Sequence, residues 1–247
     1  MTGKSEISRN RKDDKSLLFS SEALRKLIIP LIIEQILAVT VGMVDTMMVS
    51  SVGEAATSGV SLVDMINNLI INIFAAVATG GAVVASQYLG QKRREKACEA
   101  ADQLVLITAV ISAVIMVCAV LFRRGLLETI YHGIEPDVME NALTYLVISA
   151  VSYPFLAVYN SCAALFRAMG NSRISMQASV VMNVLNIIGD YLLVFVFPMG
   201  VAGAALATLV SRIVACVILN IRLRNRSLDI CIGNGPLSWN GDMIRRI

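Results

Sequence analysis

Long apolar runs separated by short polar segments dominate this chain. Six stand out: Leu27–Val49, Val60–Leu89, Leu104–Phe122, Leu143–Phe166, Ile174–Phe197 and Val201–Ile221. Each reaches the roughly 20 residues that a helix needs to cross the hydrocarbon core of a bilayer. The hydrocarbon offers no partner to an unpaired backbone group, so open segments cross it only as helices. The pattern predicts an all-α membrane protein, a six-transmembrane-helix bundle over residues 27–223. The second run is longer than a span requires, so its first turns are expected at the interface. Pro30 and Pro154 fall within runs one and four and are expected to kink them. Residues 1–26 read as a basic cytoplasmic arm, with no cleavable signal peptide. Residues 224–247 read as a turn-rich linker carrying Gly233-Asn234-Gly235-Pro236. The basic residues Arg245 and Arg246 are placed as at the entry to another span. The chain is therefore expected to be half of a larger protein, truncated before a seventh helix.

Loop charge sets an expected orientation. Lys92, Arg93, Arg94 and Lys96 lie between runs two and three, Arg167 and Arg173 between four and five, and Arg222, Arg224 and Arg226 after six. The Ser50–Gly59 connection has no Lys or Arg, and the fifth-to-sixth turn is Pro198-Met199-Gly200. The positive-inside rule puts both termini in the cytoplasm of a cell that carries the protein in its inner or plasma membrane. Composition agrees: 56% of residues are hydrophobic, 16% are charged and the mean hydropathy is +0.71. A soluble domain carries about 25% charged residues. The net charge of +3, with the basic residues in clusters between apolar runs, argues against a nucleic-acid partner. The five cysteines form no CxxC pair and His132 is the single histidine, so a zinc or iron–sulfur site is not expected.

Ionisable residues inside membrane helices are costly and are functional candidates by default. Asn183, Asn186 and Asp190 recur at three- and four-residue spacing and share one helix face. Asp190 lies seven residues before Phe197, and Thr208 lies seven after Val201, on runs joined by a tight turn. Antiparallel packing therefore sets them at one height, roughly 10 Å below the outer surface. Asp45, four residues from the end of run one, lies within a turn of that level. Two carboxylates, an amide and a hydroxyl at one depth make an oxygen-rich site for a shared proton or a small hard cation such as Na⁺. Structural interhelical bonding is the plainer alternative. Asn68 and Asn72 are i,i+4 and either line a cavity or bridge helices. Asp64 and Asn67 read as interfacial. Glu34 either meets substrate or pairs with Arg212, and Asn160 reads as a helix-bridging amide.

GxSxG, HExxH and Walker A motifs are all missing, so no enzyme is expected and no cofactor beyond a coupling ion. The stretches "IIPLIIEQILAVTVGMVDTMMVSSVGEAA", "ATGGAVVASQYLGQK", "ALFRAMGNSRI", "NVLNIIGDYLLVF" and "FPMGVAGAALATLVSR" resemble, in order, the multidrug and toxic compound extrusion (MATE) transporters. The resemblance runs over residues 22–225. It implies one six-helix lobe of a twelve-helix transporter, with the C-terminal lobe missing from this chain. It further implies antiport of organic, often cationic, drugs or metabolites against H⁺ or Na⁺. Asp45, Asn186, Asp190 and Thr208 match the family's ion-binding positions, and Tyr145 and Asn160 fall near positions that hydrogen-bond around them. Arg212 departs from the pattern, where an uncharged residue is expected. The alternatives are a lipid-linked oligosaccharide flippase of the same superfamily, which would need a cationic cavity, and a transport-inactive membrane fragment.

Overall fold

The computed structural model describes residues 21–233 and 241–244; most of the basic arm and part of the expected linker lie outside them. Among the described residues every regular element is helical. In chain order these are α1 (Ser21–Ser50), α2 (Glu54–Gly90), α3 (Arg94–Leu121), α4 (Arg123–Ile130), α5 (Pro136–Val151), α6 (Tyr153–Ala168) and α7 (Ser172–Asp190). A π-helical stretch, Tyr191–Val196, then leads to α8 (Gly200–Leu223) and the single turn α9 (Gly241–Ile244). Five helices are long and apolar enough to cross a membrane, and α5 with α6 reaches that length and apolarity as a pair bent by 46°.

The helices run past the apolar runs that flag them. Hydropathy marks the part that sits in hydrocarbon, whereas backbone hydrogen bonds carry a helix on into the headgroups. Thus α2 begins at Glu54, not near Val60, and the first connection shrinks to Ser51-Val52-Gly53, with Gly53 at φ +147°. Run four, expected as one kinked helix, breaks at Ser152. The cause is Pro154: placed in the first turn of α6 it loses no hydrogen bond, whereas inside a continuous helix it would.

The bundle closes around two apolar clusters. Phe74, Leu104, Tyr153, Phe166 and Leu219 anchor one, with Phe74 and Tyr153 edge-to-face at 6.2 Å between ring centroids. Val63, Leu127, Leu146, Val194 and Ala205 anchor the other. Small residues set the helix crossings, as expected where hydrocarbon supplies no hydrophobic drive between helices. A Cβ at Gly59 would stand 2.9 Å from the Ala142 nitrogen and the Val138 oxygen, so α2 and α5 touch backbone to backbone. Gly81 leaves the space that the Leu104 side chain fills. Helix α1 packs chiefly on α7 and only lightly on α2 and α8. It exposes Ile29, Ile32, Ile36, Met43 and Met47 along its length and is the peripheral helix of the bundle.

Beyond α8 the chain turns back. Residues 228–233, expected as free linker, lie against α3. The Arg94 Nη2 donates to the Leu228 carbonyl at 2.7 Å, and the Gly233 N–H donates to Asp102 Oδ1 at 2.7 Å. Ile230, Cys231 and Ile232 are buried, and the Cys98 and Cys231 sulfurs stand 3.2 Å apart. Burial, with the adjoining Cys98 thiol, pushes the Cys231 thiol up to about 11. Only the thiolate is nucleophilic, so at pH 8 Cys231 in folded protein is expected to react with a maleimide on the order of a hundredfold more slowly than an exposed thiol. It should recover full reactivity in SDS. Equal rates in both states, by mass spectrometry of the labelled peptide, would show that this segment is not docked.

Candidate functional site

Three helices bring their polar residues to one level. Helix α1 supplies Asp45, α7 supplies Asn183, Asn186 and Asp190 on one face, and α8 supplies Thr208. What lets them meet is Gly189. A Cβ there would stand 2.9 Å from the Ala207 Cβ, so α7 and α8 come closest one residue from both Asp190 and Thr208. The Asn186 Nδ2 donates to Thr208 Oγ1 at 3.3 Å, which turns the amide oxygen the other way. Asn183 reaches Ser179 on its own helix at 3.5 Å.

Asp190 is 1% exposed, and neither carboxylate oxygen has a hydrogen-bond donor among the described residues. Asp45 Oδ1 is likewise buried without a donor. The two side chains come near each other across the α1–α7 contact. Two carboxylates have acceptors only, so such a meeting requires a proton or a cation between them. A buried carboxylate without a partner is far too costly to be a packing residue.

A second polar group lies beside this pair. Tyr153 donates from its hydroxyl to Asn67 Oδ1 at 2.8 Å, and Asn67 Nδ2 reaches Asp64 Oδ1 at 3.4 Å. Tyr145 is buried on α5 near Asp64. Arg212 Nη1 donates to Ser152 Oγ at 2.6 Å, and Ser152 Oγ donates in turn to the Ser149 carbonyl at 2.6 Å. Asn67 is therefore tied to both α6 and its own helix inside the bundle. With α2 starting at Glu54, Asp64 lies about 15 Å along the helix, and Arg212 about 18 Å along α8 from the same end of the bundle. Equal depth was the available signal, and run lengths counted from hydropathy concealed it.

The remaining candidates separate. Glu34 does not meet Arg212. It stands 3.8 Å from Arg167 Nη1 and accepts from Ser175 Oγ at 3.4 Å, joining α1 to the α6–α7 end. The Asn160 Nδ2 is buried without an acceptor. Asn68 and Asn72 are exposed on α2, and Asn72 donates to the Asn68 carbonyl at 2.8 Å within the helix, so they bridge no other helix.

The family model described as MatE matches residues 30–192. Among curated proteins, the chain is 30% identical to an uncharacterized transporter, YisQ, of Bacillus subtilis, over 86% of the chain and 49% of that protein. It is 28% identical to the probable multidrug resistance protein NorM of Thermotoga maritima, over 88% of the chain and 47% of that protein. Among solved structures, a MOP superfamily transporter from Pyrococcus furiosus superposes with a TM-score of 0.84 at 22% identity, over 91% of this chain and 49% of that one. The chain thus spans about half the length of the relatives it matches.

Proposed function

Since the chain belongs to the MatE family, we propose that it forms one lobe of an ion-coupled exporter of small organic, chiefly cationic, compounds. The observation that carries this reading is the Asp45–Asp190 pair, two carboxylates facing each other with buried, donor-less oxygens. A proton or Na⁺ bound there supplies the missing positive charge. The Asn186 amide oxygen and the Thr208 hydroxyl stand ready as further ligands on the same level.

Binding works on the loosest helix. Because α1 is peripheral and rests mainly on α7, its position depends on whether Asp45 and Asp190 attract or repel. A bound cation draws α1 onto α7; its departure leaves two facing carboxylates that push the helices apart. That exchange of attraction for repulsion is the differential contact that alternating access needs, with a second lobe to rock against. The lobe sits in the cell membrane, with the basic loops and both termini of this chain in the cytoplasm. The flippase alternative has less support, since the relatives with an assigned role are named for drug export.

The test uses the complete reading frame that contains this chain, expressed in a drug-sensitive bacterium lacking its own exporters. Efflux of a fluorescent cation is expected to exceed the empty-vector rate severalfold and to stop when either a protonophore or a sodium ionophore dissipates the relevant gradient. Efflux indifferent to both gradients would refute ion coupling. No efflux of several cationic and neutral dyes would refute the exporter reading.

A further inference from the structure

Helix α7 turns its polar side inward. Val181, Val184 and Ile188 are exposed and apolar, as lipid contact requires. Of the seven buried residues on this helix, all but Ala178 carry a polar side chain. Ser172, Ser175, Ser179, Asn183, Asn186 and Asp190 recur every three or four residues and so form one continuous stripe. At 1.5 Å per residue it runs about 27 Å, from the first residue of α7, beside Arg173, to the buried aspartate.

Two ordinary roles for such a stripe do not account for it. Close packing of small residues would be served equally by Ala at each serine, and it has no use for the amide of Asn183. Bonding between helices is sparse below Asn186. Asn183 donates to Ser179 of its own helix, at 3.5 Å. Ser172 is 1% exposed, and its hydroxyl has no partner among the described residues. Tyr159 lies nine residues before the end of α6, and α7 packs antiparallel to α6 after a short turn. That sets Tyr159 between the levels of Ser179 and Asn183. It is 5% exposed, and its hydroxyl also lacks a partner. Buried polar groups without protein partners are what a water path presents. Helix α1 lies over this face. Ser175 donates to Glu34 of α1 at 3.4 Å, and Val41, two turns further along α1, is buried one turn before Asp45.

We propose that the polar face of α7 is the route by which the coupling ion passes between the aspartate pair and the cytoplasm, and that α1 is its cover. This rests on the ion-binding reading of Asp190. With α1 against α7, the apolar Val41 helps to keep the stripe dry. As α1 lifts, water enters from the Ser172 end, and the Ser179 hydroxyl and Asn183 amide oxygen form a step midway. Such oxygens solvate Na⁺, and they equally order a file of water along which H⁺ moves. Between Ser175 and Asp190 the stripe holds no charge, so nothing on it traps the ion.

The experiment uses the full-length protein in intact cells and in inverted membrane vesicles. Ser179→Cys is treated with a membrane-impermeant cationic methanethiosulfonate, and the labelled peptide is followed by mass spectrometry, so the native cysteines stay in place. In alkaline, Na⁺-free medium, which empties the pair, labelling from the cytoplasmic face is expected on the order of tenfold faster than from outside, since the reagent needs a wetted thiolate. Val181→Cys, on the lipid side, should stay unlabelled. If Ser179→Cys does not reach the membrane, Ser175→Cys carries the same expectation. In reconstituted vesicles Asn183→Leu should bind the ion with wild-type affinity but release it on the order of tenfold more slowly, because an apolar side chain bars a charged or hydrated species. Asn183→Ser, which keeps a polar group, should restore the rate. A residue that only packs would change thermal stability and leave the release rate alone. Labelling of Ser179→Cys that is absent from the cytoplasmic face, or faster from outside, overturns the proposal. So does a wild-type release rate in Asn183→Leu. The underlying reading fails separately: Asp190→Asn would then bind the ion as wild type does, whatever the labelling shows.

Discussion

Replacing Asp190 by Asn in the full-length protein is expected to cut ion-driven efflux roughly a hundredfold, with the membrane level of the protein unchanged. Asn preserves the shape of the side chain, so α7 keeps its place between α1 and α8. What disappears is one of the two negative charges that make the site attractive to a cation. A charge-assisted contact is worth about 1.5–3 kcal/mol, which corresponds to roughly ten- to hundredfold in an equilibrium. Asp190 belongs at the upper end because it is 1% exposed and no solvent replaces the lost partner. Asp45→Asn is expected to match it, since the pair acts as one unit. The double variant should then be no worse than either single one, the non-additivity that groups serving one site display. Glu34→Gln is the internal control. Its carboxylate already has Arg167 and Ser175 as partners, so efflux should stay within about threefold of wild type. Simple addition of the two aspartate effects would mean that Asp45 and Asp190 act at different steps. Normal efflux from Asp190→Asn would remove the pair from the mechanism.

Why the sequence revealed this pair and hid its neighbours is a matter of signal type. Asn183, Asn186 and Asp190 sit at helical spacing on an apolar background, and a tight turn between runs five and six makes depth countable. Counting from that turn brought Asp190 and Thr208 to one height. No such ruler existed for Asp64 and Arg212. Helix α2 starts six residues before its apolar run, an offset of about 9 Å, so the run alone does not show that Asp64 shares a level with Arg212. For Glu34 the sequence leaves two readings open, contact with substrate or a pair with Arg212. The structure matches it instead to Arg167, in the last turn of α6. The break at Ser152 left only Pro154 as a trace, since the run around it is apolar on both sides. The π-helical stretch Tyr191–Val196 left none: it holds no Gly, no Pro and no polar residue, and its backbone is set by packing against α8. In the same way, the turn-rich composition after α8 masked Ile230, Cys231 and Ile232, three buried side chains in an otherwise polar segment.

That packing against α8 makes Gly203 a position where added bulk meets backbone. A Cβ built on it would stand 2.8 Å from the Leu193 oxygen and 2.9 Å from the Leu193 carbonyl carbon. These are backbone atoms, which cannot rotate aside as a side-chain terminus can. Gly203→Val is therefore expected to destabilise the protein by at least about 3 kcal/mol, the upper end for overpacking a dense interior. The consequence reaches the site, because Leu193 is three residues beyond Asp190 on a continuous helical path. Pushing the π-helical stretch off α8 displaces Asp190 from Asp45 and Asn186 from Thr208. Variants that still fold should bind the coupling ion weakly even though every ligand is present. Gly59→Val, against the backbone of Ala142 and Val138, should destabilise the fold to a similar degree through the α2–α5 crossing. Gly125→Ala supplies the contrast. It lies within α4 with nothing near its Cβ direction, and helix propensity there favours Ala by about 0.5–1 kcal/mol. Thermal stability of detergent-solubilised protein, followed by fluorescence-detected size exclusion, should fall steeply for the first two variants and hold or rise for the third. A Gly203→Val protein as heat-stable as wild type would mean that α8 and the π-helical stretch are not in backbone contact, and that Asp190 is positioned by something else.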